Sequence, residues 1–391
     1  MKWEKKKLCE CTEYITDGDH QPAPKADKGV HFIKIKDIVD NQVSFDAQVY
    51  VPQEYYDNLP MERKPQKEDV LYTVVGSFGI PSYVQTDELF CFERNIALLH
   101  PNKDIEPRFL YYSLKNPAFY KGVEIVANGS AQKLIPLSKL KDLKISVPDK
   151  EAQRHIADIL SAYDDLIENN QRQIKLLEEA AQRLYKEWFV DLNFPGHENT
   201  KIVDGVPEGW NEKTLSQVAN VIMGQSPKSE FYNSEKKGLP FHQGVGSYGV
   251  RFVMDDIYST SYTRIAEPNS ILFSVRAPVG RLNITKNKVV IGRGLAAINQ
   301  TDGCQSYLYY LLKNKFFKDN IVGNGSIFAS VSKDELLNQK FLIPERNLMM
   351  QFEKIVSQMD KQIENLDSKN KKLIEARDRL LPKLMSGEVE V

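Results

Sequence analysis

Four patterns in this chain combine residue types and spacings that could do chemistry. Asn116-Pro117-Ala118-Phe119 falls one residue short of the Asn-Pro-Pro-Phe signature of adenine methyltransferases. It lacks the second proline, and no Gly-rich turn after a strand precedes it, so it reads as an Asn-Pro that ends a helix. Gly244-x-Gly246-x-x-Gly249 spells a dinucleotide fingerprint, but "VRFVMDD" follows, a strand pattern where the fingerprint needs a helix. Glu4-x-Lys6, Glu62-x-Lys64 and Glu235-x-Lys237 resemble the tail of a nuclease motif, without the Pro-Asp strand that should lead into it. Cys9-x-Cys11 with His20 is too tightly spaced and too poor in ligands for structural zinc. No G-x-x-x-x-G-K-[ST] phosphate loop occurs. The expectation is a chain with no catalytic residue and no metal ligand set.

Another kind of chemistry is better represented. Arg, Lys, Asn and Gln present paired donors and acceptors that match base edges, while Lys, Arg, Ser, Thr and glycine turns hold phosphate. Such residues collect at Thr16, Gly18 and His20, at Lys34 and Lys36, at Ser77, and at Ser130, Gln132 and Lys133. Further along they collect at Gln225, Ser226 and Lys228, at His242 and Gln243, at Arg276, Arg281 and Arg293, and at Ser326.

The elements that must position these residues occur twice. Asn128-Gly129-Ser130 returns as Asn324-Gly325-Ser326, 196 positions later, and Val147-Pro148 returns as Ile343-Pro344 at the same offset. "DVLYTVVGSFG" parallels "SILFSVRAPVG", each an apolar strand running into a glycine turn. Leu110-Tyr111-Tyr112 parallels Leu308-Tyr309-Tyr310 in a helix-like stretch. Each copy reads as an α+β domain of roughly 140 residues.

A long helix follows each copy. After Asp149, a suitable N-cap, a heptad seam runs through Ile156, Leu160, Tyr163, Ile167, Asn170, Ile174, Leu177, Ala181, Leu184 and Trp188. The second seam is Phe352, Val356, Met359, Ile363, Leu366, Asn370, Leu373, Arg377, Leu380 and Leu384. Pro382 is expected to end or kink that helix. Neither stripe can stay exposed, so the helices should pair antiparallel. With facing positions summing to 540, Ile156 meets Leu384, Tyr163 meets Arg377, Asn170 meets Asn370 and Trp188 meets Phe352. The chain thus divides into domains 1–148 and 205–345, with helical regions 149–204 and 346–391. The fold class is α+β: a pseudo-twofold tandem whose two domains are separated by a long antiparallel two-helix coiled coil.

Bulk properties narrow the class further. Of 391 residues, 41% are hydrophobic and 27% charged, values of a water-soluble globular chain. No apolar run is long enough for a membrane span, and "MKWEKKKLCECTEY" has no apolar stretch suited to a signal peptide. Four scattered cysteines make no disulfide framework, so a cytoplasmic setting is expected. Net charge is −1, so contact with an acidic partner must come from local patches.

The layout resembles the specificity subunit of type I restriction–modification systems. The resemblance is carried by "VPDKEAQRHIADILSAYDDLIENNQRQIKLLEEAAQRL", its counterpart after Pro344, "SILFSVRAPVG", "VIGRGLAAI" and the paired "NGS" segments. It implies two target recognition domains, each reading half of an asymmetric bipartite DNA site, and helices that set the spacing and dock methyltransferase subunits. Half-site centres would then sit about one DNA turn apart, ~34–36 Å. The resemblance also places the "DGDH" and "GQSP" turns and the "NGS" loops near DNA. Its implied partners are double-stranded DNA, modification subunits and a motor/endonuclease subunit. S-adenosylmethionine, ATP and Mg would reside on those partners, with no cofactor on this chain and no membrane contact. Two alternatives stay open: a coiled-coil scaffold with protein-binding end domains, and a specificity subunit serving a fused nuclease–methylase.

Overall fold

The computed structural model describes residues 3–39, 41–128, 134–316 and 330–391. By compactness the chain forms two units, residues 1–171 with 368–391, and residues 172–367. The division falls inside both long helices, Lys150–Phe189 and Arg346–Ser386, so each unit contains a globular region and a stretch of each helix. The four-part division by sequence character and this two-part division by compactness are different cuts of one chain.

In the first unit a four-stranded antiparallel sheet has the order Thr12–Asp17, Ile96–Pro101, Val70–Thr73, Pro81–Tyr83. Its central strand starts Ile96-Ala97-Leu98-Leu99, all fully buried, because both faces are covered. A smaller sheet pairs Val30–Ile33 in parallel with Phe90–Phe92 and antiparallel with Tyr50–Val51. Glu4–Lys7 pairs with Lys144–Val147, the strand that leads into the first long helix. Helix Pro107–Lys115 carries Leu110, Tyr111 and Tyr112, all buried.

The second unit repeats this plan. Its four-stranded sheet runs Ala219–Met223, Leu295–Gln300, Ile271–Ser274, Leu282–Ile284, the same order and the same antiparallel pairing. Leu239–His242 runs parallel to Val289–Ile291, and Asn211–Thr214 pairs with Lys340–Ile343. The Leu-Tyr-Tyr helix here is Gln305–Phe316. Short strands Tyr232–Asn233, Tyr258–Ser259 and Ile265–Ala266 widen the smaller sheet.

The hairpin turns agree to single hydrogen bonds. Thr73 donates its hydroxyl to the Ser77 carbonyl at 2.7 Å and accepts from the Ile80 N–H at 3.0 Å. Ser274 donates to the Pro278 carbonyl at 2.6 Å and accepts from the Arg281 N–H at 2.8 Å. One hydroxyl thus pins each turn, which fixes the direction of whatever follows it.

Within each unit the two helix stretches pack antiparallel in the expected register. In the first, Asn170 donates to Asn370 at 2.7 Å, and Ile156, Leu160 and Leu384 share the unit's core. In the second, Trp188 and Phe352 lie 6.0 Å apart, and Ile174 packs with Ile363 and Leu366. Every seam position on both helices is buried or half-buried, Tyr163, Leu177, Leu184, Met359, Leu373, Arg377 and Leu380 being the half-buried ones. Fully buried residues such as Leu160 and Phe352 each contribute roughly 1.5–3 kcal/mol.

Arg377, expected opposite Tyr163, places its guanidinium on the carboxylate of the adjacent Asp164. One local expectation is corrected. Pro382 lies inside the second helix and does not end it. Its missing N–H costs one helical hydrogen bond, but Leu381, Leu384 and Met385 are buried in the first unit's core, which holds the last turn in place. Asp149 caps the first long helix as expected, its carboxylate accepting from the Ala152 N–H at 3.0 Å.

The Leu-Tyr-Tyr helices are tied to the long helices by polar contacts. Tyr112 donates to Asp164 at 2.7 Å in the first unit. In the second, Arg251 is 2% exposed and sits between Glu178 and Asp360, taking Tyr310 at 3.1 Å and stacking 4.0 Å from the Tyr309 ring. Asp164 and Asp360 occupy equivalent heptad positions, 196 apart, yet their arginines come from different elements.

Candidate nucleic-acid interface

In the second unit four turns meet at one edge of the sheets, and their backbones bind one another. Gly292 donates to the His242 carbonyl at 2.8 Å, Gly294 to the Gln243 carbonyl at 3.1 Å, and Val275 to the Gly294 carbonyl at 2.9 Å. The Arg293 N–H donates to the Ser226 hydroxyl at 3.2 Å. Approach is close enough to require glycine: a Cβ on Gly294 would stand 2.4 Å from the Gln243 oxygen, and one on Gly224 2.1 Å from the Gly292 oxygen. Such contacts make a rigid platform.

Between these turns lies a cleft of about 140 Å³ lined by Gln243, Gly244, Val245, Ser274, Arg276, Ala277, Arg293 and Gly294. The structure thus brings together Gln243, Arg276 and Arg293, all exposed, with Gln225 and Ser226 on the adjoining turn. Neither Arg276 nor Arg293 has an ion-pair partner among the described residues. Two unpaired guanidinium groups over a glycine floor suit a ligand rich in acceptor oxygens and nitrogens. Lys228 is exposed on the same turn as Gln225, whereas Arg281 is half-buried on the hairpin's return strand side.

His242 does not present its ring to solvent. It is 1% exposed, with Nδ1 2.8 Å from the Ser247 hydroxyl and Nε2 3.1 Å from Asp255. With both nitrogens engaged it braces the 243–247 loop from beneath, and its place among contact residues is corrected accordingly. Burial follows from its strand: Leu239–His242 is covered on both sides beyond its first residue.

The first unit's turns have another character. Gly18 is buried and a Cβ there would meet the Phe92 oxygen at 2.2 Å, so it too shapes a turn without offering a side chain. The turn is acidic: Asp19 accepts from Tyr55 at 3.1 Å and from Arg63 at 3.3 Å, and His20 lies 3.3 Å from Asp17. Against burial, which raises it, the Gln21 N–H, the Tyr55 hydroxyl and the Arg63 charge hold the Asp19 carboxyl below its usual range. Thr16 and Lys34 are half-buried, while His20, Lys36 and Ser77 are exposed. Ser130, Gln132, Lys133 and Ser326 lie outside the described residues.

One exposed arginine escaped the sequence reading. Arg94 precedes the central strand Ile96–Pro101 by two residues, as Arg293 precedes Leu295–Gln300. The signal lay in "FCFERNIALL" against "VVIGRGLAAI", which align at an offset of 199 and not 196.

The rejected motifs behave as structural features. Asn116 separates two helices and caps the second, accepting from the Ala118 N–H at 3.1 Å. Gly244–Gly249 spans a single short turn and bridges onward without a following helix. Burial pushes the Cys11 thiol up to about 12, disfavouring the thiolate that a metal would need. Among the described residues no group of three or more His, Cys, Asp or Glu is arranged to hold a metal, and no helix is long and apolar enough to cross a membrane.

Comparison with known proteins places this geometry in context. The family model described as the type I restriction modification DNA specificity domain matches residues 1–179 and again 207–376. A chain of Methanocaldococcus jannaschii, described as the specificity subunit of the type I restriction enzyme MjaX, is 30% identical over 400 residues, covering 100% of this chain and 94% of that one. The HindI specificity subunit of Haemophilus influenzae is 24% identical over 416 residues, covering 85% and 89%. Among solved structures, the type I restriction–modification S subunit from M. genitalium matches with a TM-score of 0.62 at 20% identity, covering 98% and 96%, a likeness of fold.

Proposed function

Since the chain belongs to the family of type I restriction–modification DNA specificity subunits, we propose that it recognises DNA within such a complex, each globular region reading one half of a split, asymmetric site. The observation that carries this reading is the duplication of one scaffold with unlike turns. Sheet order, hairpin pinning and glycine packing recur, while the side chains offered differ, Arg276 and Gln243 in one unit and Val75 and Lys34 in the other.

On this reading double-stranded DNA is the ligand. The long helices set the half-site separation and dock methyltransferase subunits, and a motor/endonuclease subunit completes the complex. The chain itself contributes recognition without catalysis, in the cytoplasm, with S-adenosylmethionine, ATP and Mg on the partners. A net charge of −1 supports a division of labour in which partners neutralise much of the phosphate. The isolated chain should therefore bind DNA weakly and lose it readily with salt.

Genome-wide adenine methylation compared with and without this gene tests the reading. Loss of one bipartite motif, two unlike words around unspecified bases, is the expected result. Unchanged methylation, or loss of one uninterrupted palindrome, overturns it.

A further inference from the structure

The duplicated scaffold makes individual positions of the two units comparable, and two such positions behave differently. Arg94 and Arg293 each stand two residues before the central strand of their sheet, both exposed and both without an ion-pair partner among the described residues. Val75 and Arg276 each stand two residues past the pinning hydroxyl, of Thr73 or Ser274. Their neighbours make the same bonds. Val74 donates to the Asn95 carbonyl and Val275 to the Gly294 carbonyl, each at 2.9 Å. Each of the two positions then bridges to a later segment, Val75 to Leu134 and Arg276 to Ser330. The flanking backbone hydrogen bonds and bridges are therefore shared up to this position, where the side chains differ; the turns diverge one residue later, at Gly76 with φ 69° and at Ala277.

Every half-site has the same phosphate backbone, and half-sites differ only in their bases. A residue kept at both places suits the first, and a residue that changes suits the second. We propose that Arg94 and Arg293 anchor phosphate, and that the Val75/Arg276 position reads a base: a guanine through O6 and N7 in the second unit, a thymine methyl in the first. An arginine fork matches the two guanine acceptors, and an apolar branched side chain matches the thymine C5-methyl group. The pinned turn supplies the preorganisation, since Arg276 leaves the backbone at an angle set by the Ser274 hydroxyl. Val75 is half-buried, packed on one side against the first unit's core, and the rest of its side chain is left to meet a methyl group. This assignment rests on the reading of the chain as a DNA-recognition subunit.

The test uses the full chain assembled with its methyltransferase partners in cells lacking the native gene. The motif is read from sequencing of methylated adenines, and affinity is measured on oligonucleotides carrying that motif across a salt series. Arg276→Val and Arg276→Ala are expected to lose the choice of guanine at one position of one half, by roughly 5- to 150-fold in discrimination. The other half should keep its word. Val75→Ala should relax one position in that other half. Arg94→Ala and Arg293→Ala should weaken binding to all sequences alike, reduce the salt slope by about one, and leave every letter of the motif in place. Arg293→Lys should restore most of that affinity, because a phosphate accepts a point charge.

An Arg276→Ala complex that methylates the unaltered motif with unaltered discrimination overturns the base-reading assignment. An Arg293→Lys complex that changes a letter overturns the phosphate assignment. If the wild-type complex yields no bipartite motif, the DNA-recognition reading itself fails and this proposal falls with it. That result is distinct from an intact motif that ignores Arg276.

Discussion

The Asn170 side-chain amide donates to the Asn370 side-chain oxygen across 2.7 Å, with the two residues 4% and 6% exposed. Asn370 in turn donates to the Ile167 carbonyl at 3.4 Å. Two amides facing each other inside a hydrophobic seam satisfy one another only when the helices are in this one register. A slip by a heptad would set Asn170 against Ile363 and Asn370 against Tyr163, or Asn170 against Arg377 and Asn370 against Leu177.

Removing one amide should therefore hurt more than removing both. Asn170→Leu leaves the Asn370 oxygen buried without its donor, at a cost of ~1–3 kcal/mol. Asn170→Leu with Asn370→Leu should recover most of that loss while giving up the register device. Urea denaturation of the four proteins, treated as a double-mutant cycle, measures this. A coupling energy of zero would show that the contact contributes nothing.

Arg251 invites a second experiment, because its guanidinium is held by Glu178 and Asp360 and by the Tyr310 hydroxyl. Its charge is stabilised there despite burial, which by itself would lower its proton affinity. Arg251→Met leaves two carboxylates facing an apolar side chain, and breaking a buried pair from one side costs ~3–5 kcal/mol. Thermal unfolding should shift downward, and limited proteolysis should attack residues 172–367 first. Equal cleavage of both units would count against it.

The pH dependence of stability should carry a signature of Glu353. Its carboxylate accepts from the Ser306 N–H at 3.3 Å, the Ser306 hydroxyl at 3.0 Å and the Tyr307 N–H at 3.1 Å, capping helix Gln305–Phe316. Burial outweighs these bonds and raises its pKa above the ordinary 4.5. A raised folded-state value means that stability from the protonated form is complete below 4.5 and lost as pH rises through the folded value. Glu353→Gln keeps an acceptor for the cap and has no charge to bury. Its unfolding profile should be flatter over that rise, with stability at neutral pH equal to or above wild type. A variant that unfolds more easily at neutral pH would refute the assignment.

Steric crowding at the platform makes Gly294→Ala informative. The new methyl group would stand 2.4 Å from the Gln243 oxygen, a distance that only a backbone shift can relieve. Circular dichroism should remain close to wild type, while methylation of the cognate site falls at least tenfold. Full methylation by this variant would show that the cleft is not part of the reading surface.

How much of this was legible depended on whether periodicity carried the information. The helix pair was, because a 3.5-residue repeat leaves one stripe to be buried, and the lone asparagines at 170 and 370 pick one register. The strand-and-turn pairs at 70–73 and 271–274 were legible because both copies kept an apolar run before glycine. Arg94 was not: the offset between the copies drifts from 196 at the long helices to 199 at this turn, so matching at a fixed distance missed it. Arg251 was also hidden, since nothing local in "VRFVMDD" announces a guanidinium that will be buried between two helices.

Sequence by itself determined the tandem, the two seams and the facing asparagines, because those properties follow from local spacing and from the need to remove apolar stripes from water. Tertiary structure alone decided which polar residues remain available. Arg276 and Arg293 share one cleft while His242, next to Gln243 in the chain but sealed under the 243–247 loop, is spent on Ser247 and Asp255. Exposure and partnership are set by contacts between segments distant along the chain, and no local pattern records them.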